Sequence, residues 1–508
     1  MKKNILEYFF QTVKENYNKI AVIDDDKQLT FGELDIRSQV LASELIRKNL
    51  IINKPIAVFL PKSIDSVVAN IAISYSCNIY MNIDIKSPNE RIKNIFNLII
   101  PDLIITTTTY LKLLDGIVAR DKIILFDEID FCKEPNILNL HSRMRMQVDT
   151  DPLCIINTSG STGTPKGVVL NHRSFIEFTE RSLEIFDFKN NEVIGSLSPL
   201  VFDIYSFELC LLMAKGSTLI LIPEHLSAFP MKILELLKKH KVSFIFWVPT
   251  LMVNIANMEL LDAIELPDLR IVWFAGEVFP TKQFNYWKKR LSHTLFANLY
   301  GPIEITLDCT YFIVNREIAD NEPIPIGIPY KNTDILILNE NNELINNGEE
   351  GELCIRGTSL AMGYYNNPEK TAAVFVQNPL NHAYPEIIYR TGDVVCFNER
   401  GELIFKGRKD TLIKHFGYRI ELGEIEHVIV NVLQIVKNCC IIYQIEKKEI
   451  TAIYESFDII SDVEFRKKLL LYFPKYMIPT KYIRMDELPR NTNGKIDRLT
   501  LKLLINEN

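Results

Sequence analysis

The sequence predicts an α/β protein with a large N-terminal domain and a small C-terminal domain, on three observations. The chain has 508 residues, more than one hydrophobic core usually serves, so two or more domains are expected. From residue 20 to about 250, short β-branched runs alternate with amphipathic stretches, which predicts βαβ units and parallel sheets. After about residue 320 the strands become shorter and are punctuated by turns, as in a small barrel or antiparallel sheet.

The predicted elements of the large domain come in strand and helix pairs. IAVID precedes the helical stretch TFGELDIRSQVLASELIRKN, and IAVFLP precedes SIDSVVANIAISYS. Further strands are DLIITT, LCIINT and STLILIP, and the later ones include TDILILN and GELCIRG. We therefore predict two sheets of the parallel βαβ type, followed by a small β-barrel.

A domain boundary is predicted near residue 408. GELIFKGRKD closes a strand, and GYRIELGEIEHVIVNVL opens an amphipathic helix with glutamates in its first turns. We predict an N-terminal core at residues 1–408 and a small α+β domain at residues 409–508.

The composition excludes several classes of function. Hydrophobic residues make up 47% of the chain and charged residues 24%, as in globular proteins. The net charge of −7 argues against a nucleic-acid-binding surface. The longest apolar stretch, VSFIFWVPTLMVNIA, is too short to span a bilayer, and MKKNILEYFF has no signal-peptide pattern. Nine scattered cysteines suit a reducing compartment, so a cytoplasmic protein without membrane contact is expected.

The stretch NTSGSTGTPKG, residues 157–167, has the residue types of a phosphate-binding loop. It differs from a P-loop, because Pro165 stands where the second glycine belongs and Gly167 replaces the Ser or Thr that holds Mg²⁺. Its hydroxyls and backbone N–H groups, with Lys166, can still bind phosphate oxygens. Ser, Thr and Gly are also ordinary turn residues, and this stretch alone supports both interpretations equally.

Five long motifs follow one another along the chain: NTSGSTGTPKG, NLYGPIE, YRTGD, KGRKDTLIKHFGYRIELGEIE and LPRNTNGKIDR. Together they closely resemble the adenylate-forming superfamily, and more narrowly the amino-acid-activating domains of nonribosomal peptide synthetases and their standalone relatives. LTFGELDIRS and GYYNNPEKT fit the same family, so the resemblance covers about residues 20–500. Such enzymes join a carboxylate to the α-phosphate of ATP, release pyrophosphate, and pass the acyl group to the phosphopantetheine thiol of a carrier protein.

The resemblance implies an ATP and Mg²⁺ site. Lys495 matches the catalytic lysine that bridges the substrate carboxylate and the α-phosphate, and Asp393 matches the carboxylate that holds the ribose. Arg408 resembles its helper on the ribose or phosphates, Tyr300 the ring that stacks on adenine, and Glu304 the Mg²⁺ ligand. Further ATP-binding positions implied in the same way are Thr158, Ser159, Gly160, Ser161, Thr162, Gly163, Lys166, Asn298 and Gly301.

Each of these residues also has an ordinary structural interpretation. Lysines such as Lys495 are usually solvated, Tyr300 could be a half-buried packing aromatic, and Glu304 could lie in a solvated turn. The fixed motif context favours the functional interpretation. Both half-reactions build negative charge, so positioned cations and dipoles are the expected catalysts.

The resemblance also implies an amino-acid site. Asp203 matches the carboxylate that binds the α-amino group, although an aspartate there could instead cap the helix that follows. The remaining pocket positions carry over as Ile204, Phe207, Phe246, Trp273, Ala275, Leu299, Leu307 and Asp308. Such a filled, apolar pocket suits a small neutral side chain, with proline first and alanine, D-alanine, serine or glycine next. Asp308 is discordant, because an acidic wall can accept a hydrogen bond from a serine hydroxyl.

Two stretches depart from the family pattern. Ile303 stands where the family has a threonine, which removes a hydroxyl and predicts slower adenylation. The lost hydrogen bond would cost about 1.5–3 kcal/mol. SYSCNIYMNID, residues 74–84, differs from the family's Lys-Ala-Gly before its strand and receives no function from the sequence.

The resemblance further implies how the two half-reactions are coupled. Asp410 matches the hinge about which the mobile small domain rotates, and Gly417 lies where the thiol would enter. With no condensation or carrier motif, a monomer that serves a carrier protein in trans is expected. The alternatives are an acyl- or aryl-CoA ligase of the same fold, and a non-catalytic nucleotide-binding partner protein.

Overall fold

A computed structural model describes residues 2–48, 51–159, 165–346, 348–409, 412–456, 460–490 and 496–506. The α-helices are α1 Leu6–Asn16, α2 Phe31–Lys48, α3 Ile64–Tyr75, α4 Asn89–Ile99, α5 Ile137–Met144, α6 His172–Ile185, α7 Asp203–Lys215, α8 Pro230–Lys239, α9 Pro249–Asn257, α10 Thr281–Arg290, α11 Pro368–Val374, α12 Leu422–His427, α13 Asp462–Leu469 and α14 Arg498–Asn506. Within these ranges, no helix combines the length and the apolar character needed to cross a membrane.

The strands, which confirm the predicted mixture of helix and strand, follow in chain order. They are β1 Ile20–Asp24, β2 Lys27–Thr30, β3 Pro55–Val58, β4 Ile79–Asn82, β5 Leu103–Thr106, β6 Ile123–Leu125, β7 Pro152–Thr158, β8 Lys166–Asn171, β9 Val193–Ser196, β10 Thr218–Leu221, β11 Phe244–Trp247, β12 Ile271–Phe274, β13 Leu295–Tyr300, β14 Thr310–Ile313, β15 Ile328–Pro329, β16 Thr333–Leu338, β17 Gly351–Gly357, β18 Gly363–Tyr364, β19 Phe375–Gln377, β20 Ile387–Phe397, β21 Leu403–Arg408, β22 Leu412–His415, β23 Tyr418–Glu421, β24 Asn438–Gln444, β25 Glu449–Glu455 and β26 Lys481–Met485.

The chain forms two compact units. The larger unit comprises Met1–Ile85, Ile99–Ile156 and Val168–Lys409. The smaller unit comprises Asp410–Asn508 together with Lys86–Leu98 and Asn157–Gly167. The smaller unit therefore draws on two segments, one with most of α4 and one with the glycine-rich loop, that the sequence assigned to the N-terminal part.

A nine-stranded sheet carries the candidate substrate residues of the larger unit. Its order is β15, β14, β13, β12, β11, β9, β10, β1 and β2, and it is parallel from β13 through to β1. The strands FIFW and IVWF at its centre are buried along their whole length, as expected for parallel strands covered on both faces. Successive side chains fill two different hydrophobic cores, since Phe246 and Trp273 belong to one and Trp247 and Phe274 to the other.

A seven-stranded sheet stands beside it in the same unit, in the order β18, β8, β7, β4, β3, β5 and β6. Its central strands β4, β3 and β5 are parallel, which confirms the predicted βαβ units. The expected small barrel takes the form of a five-stranded antiparallel sheet of β16, β17, β20, β19 and β21. Its strand β20 has 11 residues, long enough to pair with three different strands.

The smaller unit has an α+β organisation. Strands β24, β25 and β26 form a three-stranded sheet, and β22 and β23 form a separate hairpin. Helices α12 and α13 contribute Ile425, Phe465 and Leu469 to a core shared with Ile441 and Ala452 of the sheet. This core is independent of the two that flank the nine-stranded sheet.

Candidate active site

The end of β13 and the turn after it place several candidate residues. Side chains alternate along a strand, so Asn298 and Leu299 point to opposite faces of the sheet. Asn298 is buried, and its Nδ2 donates to the carbonyl oxygen of Pro325 at 2.8 Å. Leu299 belongs to the core that contains the predicted substrate positions. Asn298, which is predicted to bind ATP, and Leu299, which is predicted to line the amino-acid pocket, therefore lie on opposite faces of the sheet.

Gly301 follows β13 where only a glycine fits. A Cβ at this position would lie 2.2 Å from the carbonyl oxygen of Leu307 and 2.5 Å from the Cα of Asp308. The backbone after it is unusual as well, since Thr306 and Leu307 both have positive φ angles, 57° and 64°. Two consecutive residues with positive φ are uncommon when neither is glycine. Strained backbone of this kind clusters at functional sites.

Tyr300, Asp393 and Arg408 form one cluster in the larger unit, in which Tyr300 and Asp393 are buried and Arg408 is half-buried. The register of β20 and β21 places Asp393 directly opposite Arg408, and the Arg408 guanidinium donates to the Asp393 carboxylate. The Tyr300 hydroxyl donates to the other oxygen of the same carboxylate. Arg408 Nη2 also donates to the carbonyl oxygen of Thr391 at 2.9 Å, which fixes the guanidinium plane.

The surroundings of the Tyr300 hydroxyl keep it protonated. Burial, and then the negative charge of Asp393, raise the pKa of the Tyr300 hydroxyl well above its usual value. The hydroxyl is therefore a donor throughout the physiological range. Each carboxylate oxygen of Asp393 has two lone-pair positions, so each can accept a further hydroxyl besides its present donor.

Glu304 lies in a single 3-10 turn, Ile303–Ile305, and is fully buried. Its Oε1 accepts from the hydroxyl of Tyr364 at 2.7 Å, and its backbone oxygen accepts from the N–H of Ala361 at 2.8 Å. This burial is unlike that of a solvated turn residue. Mg²⁺ bound with nucleotide phosphates needs only one or two carboxylates, so Glu304 fits such a site. Within the part of the chain that is described, no group of three His, Cys, Asp or Glu suits a metal ion.

Asp203 is the first residue of α7. Its Oδ1 accepts from the backbone N–H of Ile204 at 2.9 Å, while the preceding Phe202 provides no side-chain cap. A carboxylate at this position interacts favourably with the positive end of the helix dipole. This geometry is compatible with both interpretations of Asp203, as a substrate ligand and as a stabiliser of the helix.

The eight predicted pocket positions besides Asp203 are all buried, and three of them, Phe207, Phe246 and Trp273, pack against one another. Seven of them belong to one hydrophobic core, and the eighth, Asp308, is also buried, with 4% of its surface exposed. The seven are Ile204, Phe207, Phe246, Trp273, Ala275, Leu299 and Leu307. Phe246 on β11 lies opposite Trp273 on β12, so adjacent strands present these rings on the same sheet face.

Trp273 is the centre of an aromatic cluster. Its ring stacks on Phe207 at a centroid distance of 5.3 Å and an interplanar angle of 16°. Its indole Nε1 is buried and has no hydrogen-bond partner among the described residues. The other rings within 4.6 to 6.5 Å of its centroid belong to Phe178, Phe186, Phe188, Phe244 and Phe246.

Sequence reasoning missed four of these rings. Phe244 could have been found, because it lies two residues before Phe246 and therefore on the same face of β11. Phe178 lies on α6, and Phe186 and Phe188 follow that helix, so only the tertiary fold brings them to the strand.

The glycine-rich loop belongs to the smaller unit and is described only at its ends. Thr158 ends β7, and its buried hydroxyl has no partner within the described part of the chain. Ser159 is buried; its Oγ donates to the carbonyl oxygen of Arg419 at 2.6 Å and accepts from the N–H of Glu421 at 3.0 Å. Lys166 begins β8. Gly160, Ser161, Thr162 and Gly163 lie outside the described residues.

Gly417 lies in the turn of the β22–β23 hairpin, also in the smaller unit. Phe416 and Gly417 both have positive φ, 51° and 81°, as a two-residue type I′ turn requires. The Phe416 side chain is exposed. The predicted catalytic Lys495 and hinge Asp410 lie outside the described residues.

The chain is similar to proteins of a known family. A family model described as AMP-binding enzyme matches residues 9–365, most of the chain. The chain belongs to the family of AMP-binding enzymes. This AMP-binding enzyme is 31% identical over 515 residues to zwittermicin A synthase ZmaJ of Bacillus cereus, covering 99% of this chain and 95% of that protein.

Two further relatives define the type of AMP-binding enzyme. Gramicidin S synthase 1 of Brevibacillus brevis is 30% identical over 505 residues, which is 98% of this chain but only 44% of that protein. The crystal structure of the adenylation domain AlmE of Vibrio cholerae with glycyl-adenosine-5′-phosphate has a TM-score of 0.85 at 20% identity, covering 99% and 98% of the two chains. The fold is therefore that of adenylation domains, and the chain is an adenylate-forming ligase of the nonribosomal peptide synthetase type.

Proposed function

We propose that this enzyme activates a small neutral amino acid as its adenylate, with release of pyrophosphate. It then transfers the aminoacyl group to the phosphopantetheine thiol of a separate carrier protein. The observation that carries the proposal is the packing of Phe207 and Phe246 against Trp273, three of the eight buried pocket positions, in a space that aromatic rings already fill. Such a filled pocket leaves room for a compact side chain only.

Asp203 is the proposed ligand of the substrate ammonium group. Its carboxylate stands at the start of α7, one residue before Ile204 of the pocket. A half-buried carboxylate gains most from a cationic partner, and an α-ammonium group supplies one. This preference separates amino acids from fatty or aryl acids, which carry no positive charge.

Two observations rank the candidate amino acids differently. The apolar positions around Trp273 favour proline, which has no side-chain hydrogen-bonding group. The buried Asp308 and the Trp273 Nε1, which has no hydrogen-bond partner among the described residues, instead favour serine, whose hydroxyl can donate to a carboxylate and accept from an indole N–H. Proline stays the first candidate and serine the second, with alanine, D-alanine and glycine after them.

The nucleotide half of the proposal rests on the cluster of Tyr300, Asp393 and Arg408. Asp393 would accept the ribose hydroxyls, while Arg408 holds its carboxylate in place. Glu304 would hold Mg²⁺, which supplies positive charge to the ATP phosphates. Tyr300 would pack against the adenine ring, and the loop from Thr158 to Lys166 would bind phosphate oxygens.

Catalysis in this proposal is electrostatic. Lys495 would place its ammonium group between the substrate carboxylate and the α-phosphate, where negative charge grows in the transition state. For the second half-reaction we propose rotation at Asp410 and entry of the carrier thiol beside Gly417. The turn of Phe416 and Gly417, in which the Phe416 side chain is exposed, is the proposed place of entry.

Amino-acid-dependent exchange of pyrophosphate into ATP tests the first half-reaction. The panel holds all proteinogenic amino acids and D-alanine, with small aromatic and fatty acids as controls of another class. Exchange with one small amino acid is the expected result. Exchange with a carboxylate that has no amino group would refute the ammonium site.

Asp203→Asn distinguishes a substrate ligand from a helix stabiliser. We expect the KM for the amino acid to rise at least tenfold while the KM for ATP changes little. Asp462→Asn is the matched control, because Asp462 is also the first residue of a helix, α13. If the two variants changed the KM for the amino acid equally, Asp203 would only stabilise its helix and would not bind the substrate.

The thiol that accepts the aminoacyl group distinguishes the proposed carrier-protein ligase from a CoA ligase. Wild-type enzyme is given its amino acid and ATP with either free CoA or a phosphopantetheinylated carrier protein. Aminoacylation of the carrier is expected. Consumption of the adenylate by free CoA would instead identify a CoA ligase. Absence of any pyrophosphate exchange into ATP would favour a non-catalytic nucleotide-binding protein.

A further inference from the structure

The loop that leads into Asp203 is held by side chains from elsewhere in the larger unit. It runs from the end of β9 at Ser196 to the start of α7. Lys62 Nζ donates to the carbonyl oxygens of Ser196 at 2.8 Å and Ser198 at 3.1 Å. Asn82 Nδ2 donates to the carbonyl oxygen of Leu200 at 2.9 Å. Three alternate carbonyls of one loop are therefore bound by two side chains.

These two side chains come from the seven-stranded sheet, whereas the loop belongs to the nine-stranded sheet. Lys62 follows β3, and Asn82 is the last residue of β4. Strands β3 and β4 are adjacent and parallel, and Val58 lies opposite Asn82. Both donors therefore leave the sheet at the carboxyl ends of neighbouring strands, the edge at which open α/β sheets place their functional groups.

Glu208 completes this arrangement from inside α7. Its Oε2 accepts from the hydroxyl of Ser196 at 2.5 Å, and its side chain is fully buried. Burial lowers the pKa of Lys62 and raises that of Glu208, and each charge opposes the shift of the other. Ser196 is thus bound through its carbonyl by Lys62 and through its hydroxyl by Glu208, which links the loop to the helix that begins with Asp203.

We propose that Lys62 and Asn82 are positioning residues for Asp203. They fix the backbone of residues 196–200, so that α7 starts at a defined place and presents the Asp203 carboxylate to the substrate ammonium group. The inference deepens the proposed function and rests on it. It also gives a role to SYSCNIYMNID, because Asn82 belongs to that stretch.

The chemistry of the contacts supports positioning rather than bulk packing. An ammonium and an amide group are costly choices for filling space, whereas both are good donors to carbonyl oxygens. Sites of this kind need support that holds the functional group within a fraction of an ångström. Loss of either donor leaves loop carbonyls without their partner and lets Asp203 move.

The test compares Lys62→Met and Asn82→Leu with wild type in pyrophosphate exchange. Each variant keeps the approximate size of the side chain but removes its donors. We expect the KM for the amino acid to rise roughly five- to tenfold, as for a lost hydrogen bond, with the KM for ATP within twofold. Lys62→Arg should restore most of the loss. Lys27→Met, on the exposed edge strand β2, is the matched control and should behave as wild type.

A double-mutant cycle shows whether Lys62 acts through Asp203. If it does, Lys62→Met adds little to the loss already caused by Asp203→Asn. Additive losses, equal changes in the KM for both substrates, or a fall in kcat alone would overturn the inference. Asn82→Leu gives the same readouts should Lys62→Met fail to fold.

The same data separate failure of this inference from failure of the proposed function. If Asp203→Asn raises the KM for the amino acid while Lys62→Met and Asn82→Leu do not, only the positioning role is refuted. If Asp203→Asn leaves that KM unchanged, the ammonium site itself is refuted.

Discussion

Asp393 receives hydrogen bonds from two different elements, the end of β13 and the end of β21, and this makes its role in ATP binding testable. Asp393→Asn removes the charge that pairs with Arg408 and keeps the shape. We expect the KM for ATP to rise at least tenfold with little change for the amino acid. Steady-state exchange measures both constants.

The control for Asp393→Asn is Asp334→Asn. Asp334 also pairs with an arginine, Arg356, in the same antiparallel sheet, but the pair is exposed. Because exposed ion pairs contribute little, this variant should match wild type. If Asp334→Asn raised the KM for ATP as much as Asp393→Asn does, the effect at Asp393 would come from a general disturbance of the antiparallel sheet and not from a lost contact with ATP.

Replacing Ile303 with threonine is expected to speed adenylation. Ile303→Thr restores the hydroxyl that the family resemblance expects before Glu304. One charge-assisted hydrogen bond in the transition state corresponds to about a tenfold rise in kcat. Exchange at saturating substrates measures it. Ile328→Thr, at an exposed position, is the control, and an unchanged kcat for Ile303→Thr would show that the hydroxyl is not needed here.

The turn after β13 depends on one glycine. Gly301→Ala pushes a methyl group into the backbone of Leu307 and Asp308, so the strained turn must shift. We expect exchange activity to fall at least tenfold and the thermal midpoint to drop by several degrees, since overpacking costs about 1–3 kcal/mol.

Gly401→Ala is the control for that turn. Gly401 has a φ of +73° but nothing within 4 Å of an added Cβ, so only left-handed strain of about 1 kcal/mol is expected. Activity should stay at the wild-type level. Normal activity in Gly301→Ala would show that the turn is not part of the site.

The family resemblance named Phe246 and Trp273 as pocket positions, and the sequence predicted the βαβ units to which their strands belong. The structure places these two residues side by side on adjacent parallel strands. Phe178 could not be placed beside them from the sequence, because its helix reaches Trp273 only through tertiary packing. The Asn82 contact was equally invisible, since the carbonyl of Leu200 lies 118 residues away. Local periodicity carries no information on such pairs.

The stability of the folded chain at acid pH depends on a buried histidine. His172 is fully buried; its Nδ1 accepts from the N–H of Ile5, and its Nε2 contacts Gln147. Burial lowers its pKa to about 3. Between that value and the unfolded value of about 6.5, only the unfolded chain binds this proton, so stability falls as pH falls.

From pH 7 to pH 5.5 this single group should cost the folded state about 1.2 kcal/mol. Thermal unfolding at the two pH values measures it against His172→Asn, which keeps a neutral polar group and should lose correspondingly less. His293→Asn, at an exposed position, should follow wild type. A wild-type transition that does not respond to pH in this interval would contradict the prediction.

The nine-stranded sheet has a consequence for biosynthesis. Its strand β1 pairs with β10, and Val22 lies opposite Leu219, so the two partners are made far apart in time. At ribosomal rates of about 5–20 residues per second, Val22 waits roughly 10–40 s for its partner. During that interval β2 can already pair with one edge of β1, but the backbone groups on the edge that later pairs with β10 stay without their partner. Chaperone capture of the emerging N-terminal segment is therefore expected to matter for the yield of this enzyme, well before any substrate is met.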